Sequence, residues 1–154
     1  MTLQQKLAER KLKQSAEAAR AKLASVPGLS LEGFDANPEL VGPADLWRCF
    51  SSHEQIAQFR IPDRAFSDTG PEILQQSLAL LGHDLGALCF SVSGHGDLPW
   101  LRTVPNHSFS LFQMFKAVGD FIAMEPRSGA AVCVMEDEYE KLVFVKPTIG
   151  RTGC

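Results

Sequence analysis

The sequence predicts an α+β fold: a single domain whose antiparallel sheet of about four strands, drawn as two hairpins, is covered by helices. Three observations predict it. Apolar residues recur three or four apart over 44–59, 71–81 and 108–124, as buried helix faces require. GALCFSVS alternates at 86–93, and short apolar runs of strand length stand at 130–135 and 141–146. Turn residues punctuate these runs, GHGD at 94–97 and an acidic DEYE at 137–140. The 154 residues are 45% hydrophobic and 21% charged, the size and composition of one globular domain able to bury a core without metal or disulfides.

Residues 2–25 read as one helix, dominated by strong helix formers, capped by Thr2 and ended by Pro27-Gly28. Leu3, Leu7, Ala16, Ala19, Leu23 and Val26 are read as one thin apolar stripe, too poor in large residues to anchor strongly. Residues 1–26 are therefore set apart as a basic helix that could project, pair with a copy of itself or fray, and 27–154 as the domain itself. The segment 27–43, with three prolines and three glycines, is read as a connector lying on the body. Pro43 suits the first turn of a helix, and Leu46, Trp47, Phe50, Ile56 and Phe59 follow at spacings that leave one face buried. Ser52 and Gln55 have capping-box spacing, which predicts a second short helix. Residues 60–70 are read as a loop. Asp68 or Thr69 then caps a helix with Pro71 near its start, Ile73, Leu74, Leu78 and Leu81 inside and Gly82 at its end.

In 86–93, Leu88, Phe90 and Val92 alternate with Cys89, Ser91 and Ser93, which predicts a half-buried strand. A second strand, 98–104, follows GHGD, whose two glycines supply the positive φ of a tight reversal. Pro99 makes its start irregular. Residues 108–124 predict a central helix, apolar most of the way round and capped by Ser108 or Ser110. The runs 130–135 and 141–146 predict strands covered on both faces. The predicted order is α–α–α–β–β–α–β–β.

Net charge is −3 but unevenly placed. Residues 1–24 hold six basic and two acidic side chains, a net of +4, and the other 130 hold nine and sixteen, a net of −7. Such asymmetry points to partners rather than to fold. The N-terminus lacks a secretory signal and no stretch reaches membrane-span length. Cys49, Cys89, Cys133 and Cys154 form no CxxC pair, and the expectation is buried free thiols in a reducing cytoplasm, with Cys154 exposed.

The chemistry-bearing residues are few. His95 could act as a general base oriented by Asp97, but the two glycines already have a structural reason to be there. Cys49 and His53 stand four apart, the spacing of a thiolate–imidazole pair or of two zinc ligands completed by His83, His95 or His107. Neither GxGxxG nor GxxxxGK[ST] is present, and no cofactor or metal is expected. The acidic body argues against nucleic acid, and the basic helix has no large aromatic to insert in a membrane. The reading is a small cytoplasmic protein-binding module, an inhibitor or antidote of the immunity or anti-defence type, meeting a basic partner through acidic surface. Its contacts are expected at the acidic turn (Asp137, Glu138, Tyr139, Glu140) and at an exposed hairpin end (His95, Asp97, Trp100). The rivals are a small enzyme using Cys49, His53 and His95, and an adaptor that forms a homodimer through the N-terminal helix.

Overall fold

The computed structural model describes residues 1–35, 40–52, 54–82 and 86–147. Along the chain run α1 (Leu3–Ala24), β1 (Leu29–Asp35), α2 (Pro43–Phe50), β2 (Phe59–Pro62), a 3-10 turn at Asp63–Ala65, α3 (Phe66–Leu80), β3 (Leu88–Val92) and β4 (Trp100–Pro105). Then follow α4 (Leu111–Val118), β5 (Phe121–Met124), β6 (Ala131–Asp137) and β7 (Glu140–Lys146). The strands form one antiparallel sheet in the order β1-β4-β3-β5-β6-β7-β2. The α+β class and the antiparallel sheet hold. The expected four strands are corrected to seven.

The three unforeseen strands have separate causes. β1 lies inside the predicted connector. Pro27-Gly28 and Gly42-Pro43 mark the ends of that segment, while Leu29, Leu31 and Phe34 pack on the core, with a register shift between Leu31 and Phe34, where Gly33 stands. β2 is four residues long, too short for periodicity to reveal, and pairs with β7. β5 was absorbed into the predicted helix 108–124. That stretch is apolar throughout, and such a run does not separate helix from buried strand. Gly119 makes the break: α4 ends there at φ 76°, and Phe121–Met124 continue as a fully buried strand. Ser110, not Ser108, caps α4 through Gln113 N–H.

Two helix expectations also change. The run after Ser52 is a turn, with Gln55 N–H donating to the Ser52 carbonyl and Glu54 N–H to Ser52 Oγ, and it leaves Ile56, expected on the buried face, exposed to solvent. α3 begins at Phe66, so Pro71 falls inside it. The carbonyl that Pro71 cannot pair belongs to Ser67, which is exposed to water. Gly82, with φ 68°, follows the α3 C-cap as predicted.

The sheet is covered on both faces. Leu88, Phe90, Val92, Phe121, Ala123, Val132 and Val134 point to one side, where they meet Leu23 of α1, Leu74 of α3 and Met114 of α4. Cys89, Ile122, Met124, Ala131 and Cys133 point to the other, against Leu46 and Phe50 of α2. β3 is therefore buried on both faces, not half-buried as its alternation predicts. Its small Cys89 and Ser91 sit under α2's side, and burial pushes the Cys89 thiol up to about 12 and that of Cys133 up as well. Both are free thiols, as expected; Cys49, expected to be a free thiol as well, is instead disulfide-bonded. At the β5–β6 connection the buried Glu125 carboxylate accepts from Arg127 N–H, Arg127 Nε, Ser128 N–H and Ser128 Oγ.

α1 divides at its middle. Ala19, Leu23 and the following Val26 are buried in the core, while residues 1–14 are exposed throughout. The exposed helical half, 3–14, is roughly 18 Å long at 1.5 Å per residue. Thr2 and Gln5 form a full capping box at its start. The single stripe read from sequence does not hold. At roughly 100° per residue, Leu3 and Leu7 lie about 120–200° around the helix from Ala19 and Leu23. Their exposures of 73% and 54% fit a separate, outward face.

Candidate functional site

Strand register gathers the charged turns at one end of the sheet. Val92 of β3 pairs with Phe121, and Phe121 with Val134, so the β3–β4 and β6–β7 turns lie at the same end. Asp35 pairs with Trp100 and Pro62 with Glu140, which brings the ends of both edge strands there too. The two turns are three strand spacings apart, roughly 14 Å at about 4.8 Å each. Sequence reasoning named both turns without showing that they share an end.

The β3–β4 turn is built against two helices. Gly94, at φ 85°, reverses the chain, and His95 N–H donates to the Val92 carbonyl. Gly96 serves a different purpose from the one predicted, since its φ is not positive. A Cβ at 96 would stand 2.8 Å from the Trp47 ring, so glycine is required there by close approach. Trp47 is held by a 2.8 Å hydrogen bond from its Nε1 to Ser91 Oγ. On the other side, Ser15 Oγ of α1 and His95 Nδ1 share a hydrogen bond of 2.7 Å. Burial lowers the His95 pKa and Lys22 adds to this, with Asp97 opposing.

Beside this turn lies a cleft of about 380 Å³, floored by Leu40, Pro43, Leu98, Pro99 and Trp100. Asp35, Asp45 and Asp97 stand around it. They come from β1, the first turn of α2 and the β3–β4 turn, and so are invisible as a group in sequence. Asp45 pairs with Arg48 one turn along α2.

The β6–β7 turn is built around a buried cation. Lys141 has 11% of its side chain exposed and points to the face covered by α3 and α4. Its Nζ donates to Asp63 and Glu136, each at 2.8 Å, and lies 5.5 Å from the Phe66 ring centre and 5.8 Å from that of Phe115. Burial works to lower its pKa, but the two carboxylates outweigh burial and raise it above the usual 10.5. Arg60 of β2 pairs with Glu140. Asp137 Oδ1 accepts from Glu138 N–H, and Glu138 and Tyr139 face solvent, Tyr139 at 76% exposure.

The predicted contact residues are thus sorted. Asp97, Asp137, Glu138 and Tyr139 are exposed, and His95 is half-buried under α1. Glu140 is partly buried and salt-bridged. Trp100 is the correction: it is 3% exposed, with its Nε1 donating to the Val41 carbonyl at 2.9 Å, so it forms cleft floor and core, not an exposed anchor. The catalytic and zinc alternatives also lose parts. Cys49 is disulfide-bonded and so offers no thiolate, while His53, His83 and Cys154 lie outside the described residues. His107 follows β4 at the end of the sheet opposite His95. The space next to His95, walled by Ala19, Leu23, Phe90 and Leu98, is about 10 Å³, room for one water at most.

Comparison with protein-family models, with curated proteins and with solved structures gives no match.

Proposed function

We propose that this chain is a protein-binding module that meets a basic partner through the acidic end of its sheet. Within that class it acts as a cytoplasmic inhibitor or antidote, of the immunity or anti-defence type, and uses no cofactor. One observation carries the reading. Asp35, Asp97, Asp137 and Glu138 come from distant parts of the sequence and fall on one end of the sheet, while an otherwise acidic body sends its basic helix outward. Acidic surface speeds the encounter with a basic partner and suppresses wrong ones. Tyr139 supplies an exposed aromatic beside those charges, the residue type that anchors interfaces.

The test is capture of partners by the immobilised chain at about 50 and about 500 mM salt, the salt sensitivity following from charge screening. It is run beside the variants Asp97→Lys and Asp137→Lys/Glu138→Lys. A stoichiometric partner lost at high salt, and lost in the variants at low salt, supports the reading. A partner held equally by all three proteins in both salts overturns the acidic-end contact.

A further inference from the structure

The cleft beside the β3–β4 turn and the outer half of α1 carry opposite charge and emerge from the same end of the molecule. Ser15 of α1 is hydrogen-bonded to His95 in this turn. Gly96 and Asp97, the next two residues, line the cleft. Everything in α1 before Ser15 is exposed.

The outer half of the helix has one face suited to that cleft. Leu3 and Leu7 stand at i and i+4, and Arg10 and Lys11 follow at i+7 and i+8, so all four share a face. Lys6 flanks them. The cleft offers the complement, an apolar floor with Asp35, Asp45 and Asp97 around it. The helix does not fill the cleft of its own chain: it is continuous through Ala24, and residues 1–14 are exposed.

We propose that a second copy of this chain fills it: α1 of each protomer lays Leu3, Leu7, Arg10 and Lys11 into the acidic cleft of the other. Because helix and cleft share one end, the exchange is reciprocal and closes on a two-fold axis; at opposite ends the same pair would build open chains. The mode is that of an amphipathic helix in an apolar groove, with charge setting its register. The inference rests on reading the acidic end as a binding surface. It adds that a basic partner protein competes with the chain's own helix for part of it.

The experiment is sedimentation equilibrium of the full chain, whose protomer is 16.9 kDa, from about 1 to about 200 µM in low salt. The wild type is expected to reach twice the protomer mass. The variants Asp97→Lys/Asp45→Lys and Arg10→Glu/Lys11→Glu are expected to stay monomeric across the range. An equimolar mixture of the two is expected to recover a heterodimer, since both helix–cleft contacts are then charge-complementary. All the changed side chains are exposed, and an unchanged circular dichroism spectrum confirms that the variants fold. A wild type that is monomeric throughout overturns the proposal, as does a dimer that both variants keep. A salt-labile foreign partner captured by a monomeric chain would sink the dimer while leaving the acidic-end reading standing. A dimer with no foreign partner would do the reverse.

Discussion

The two acidic turns at one end of the sheet look alike in sequence and are built for different ends. At the β6–β7 turn much of the charge is already used. Glu136 and Asp63 hold Lys141 beneath two phenylalanine rings, and Glu140 holds Arg60, so these carboxylates fasten the edge strand β2 and the start of α3 to the β6–β7 hairpin. At the β3–β4 turn Asp97 stands at the mouth of a cleft, and the turn is positioned by uncharged means, Trp47 against Gly96 and Ser15 on His95. A carboxylate count does not distinguish a clamp from a docking surface. What distinguishes them is whether a cation of the same chain ties the carboxylate to another element: Lys141 and Arg60 do so at the β6–β7 turn, while Asp45 pairs only with Arg48 of its own helix.

The largest expected effect tests the clamp. Lys141→Ala leaves Asp63 and Glu136 facing each other, and breaking a buried pair costs about 3–5 kcal/mol. Here the carboxylates are 43% and 62% exposed, so about 2 kcal/mol is expected from urea denaturation. A loss under about 0.5 kcal/mol, the range of ordinary surface substitutions, would erase the distinction between the turns.

Gly96→Ala comes next. Its methyl would push the Trp47 ring off Ser91, and overpacking of this kind costs about 1–3 kcal/mol. Tryptophan emission should shift red with it; unchanged stability and emission would mean the ring has room. Ser15→Ala removes one hydrogen bond, worth about 1 kcal/mol, and should raise amide exchange in residues 15–24 without affecting β6 or β7. Asp97→Lys should leave stability within about 0.5 kcal/mol, because the exposed wild-type carboxylate makes no hydrogen bond or ion pair among the described residues.

The pH dependence separates the two turns again. The Lys141 pKa is raised, so its contribution is complete below 10.5 and fades as pH climbs through the folded value. The stability gap between wild type and Lys141→Met should therefore shrink between about pH 10 and pH 12. At the other end of the sheet, burial works to raise Glu125, but hydrogen bonds from Arg127 and Ser128 outweigh it and hold it below the usual 4.5. Its contribution is present above 4.5 and lost as pH falls through the folded value, so the gap to Glu125→Gln should close in acid. A gap that is flat with pH in either case would refute that assignment.

Legibility from sequence followed the length and punctuation of each element. The cap at Thr2, the stop at Gly82 and the acidic turn at 137–140 were readable because local residues decide them. β2 was not, because four residues carry no period and its identity comes from pairing with β7. β5 was not, because Phe121–Met124 are apolar whichever way they fold, and only Gly119 hinted at the break. At the site, Asp97 was found and Asp35, Asp45 and Trp47 were missed, since nothing local joins three segments that meet only through the sheet. Trp100 was misread because a tryptophan beside a turn looks exposed until Val41 is known to lie over it.

The strand order has a consequence in time. β1 and β2, the two edges, are made early, yet β1 pairs with β4 and β2 with β7. Phe59 finds Val143 and Pro62 finds Glu140, so β2 precedes its only neighbour in the sheet by about 80 residues. At roughly 5–20 residues per second of synthesis, that is a wait of about 4–16 s during which β2 has no strand to pair with. A nascent chain stalled before residue 140 would hold every helix and five of the seven strands beside an orphaned sixth, which makes the last hairpin the step that commits the molecule to its shape.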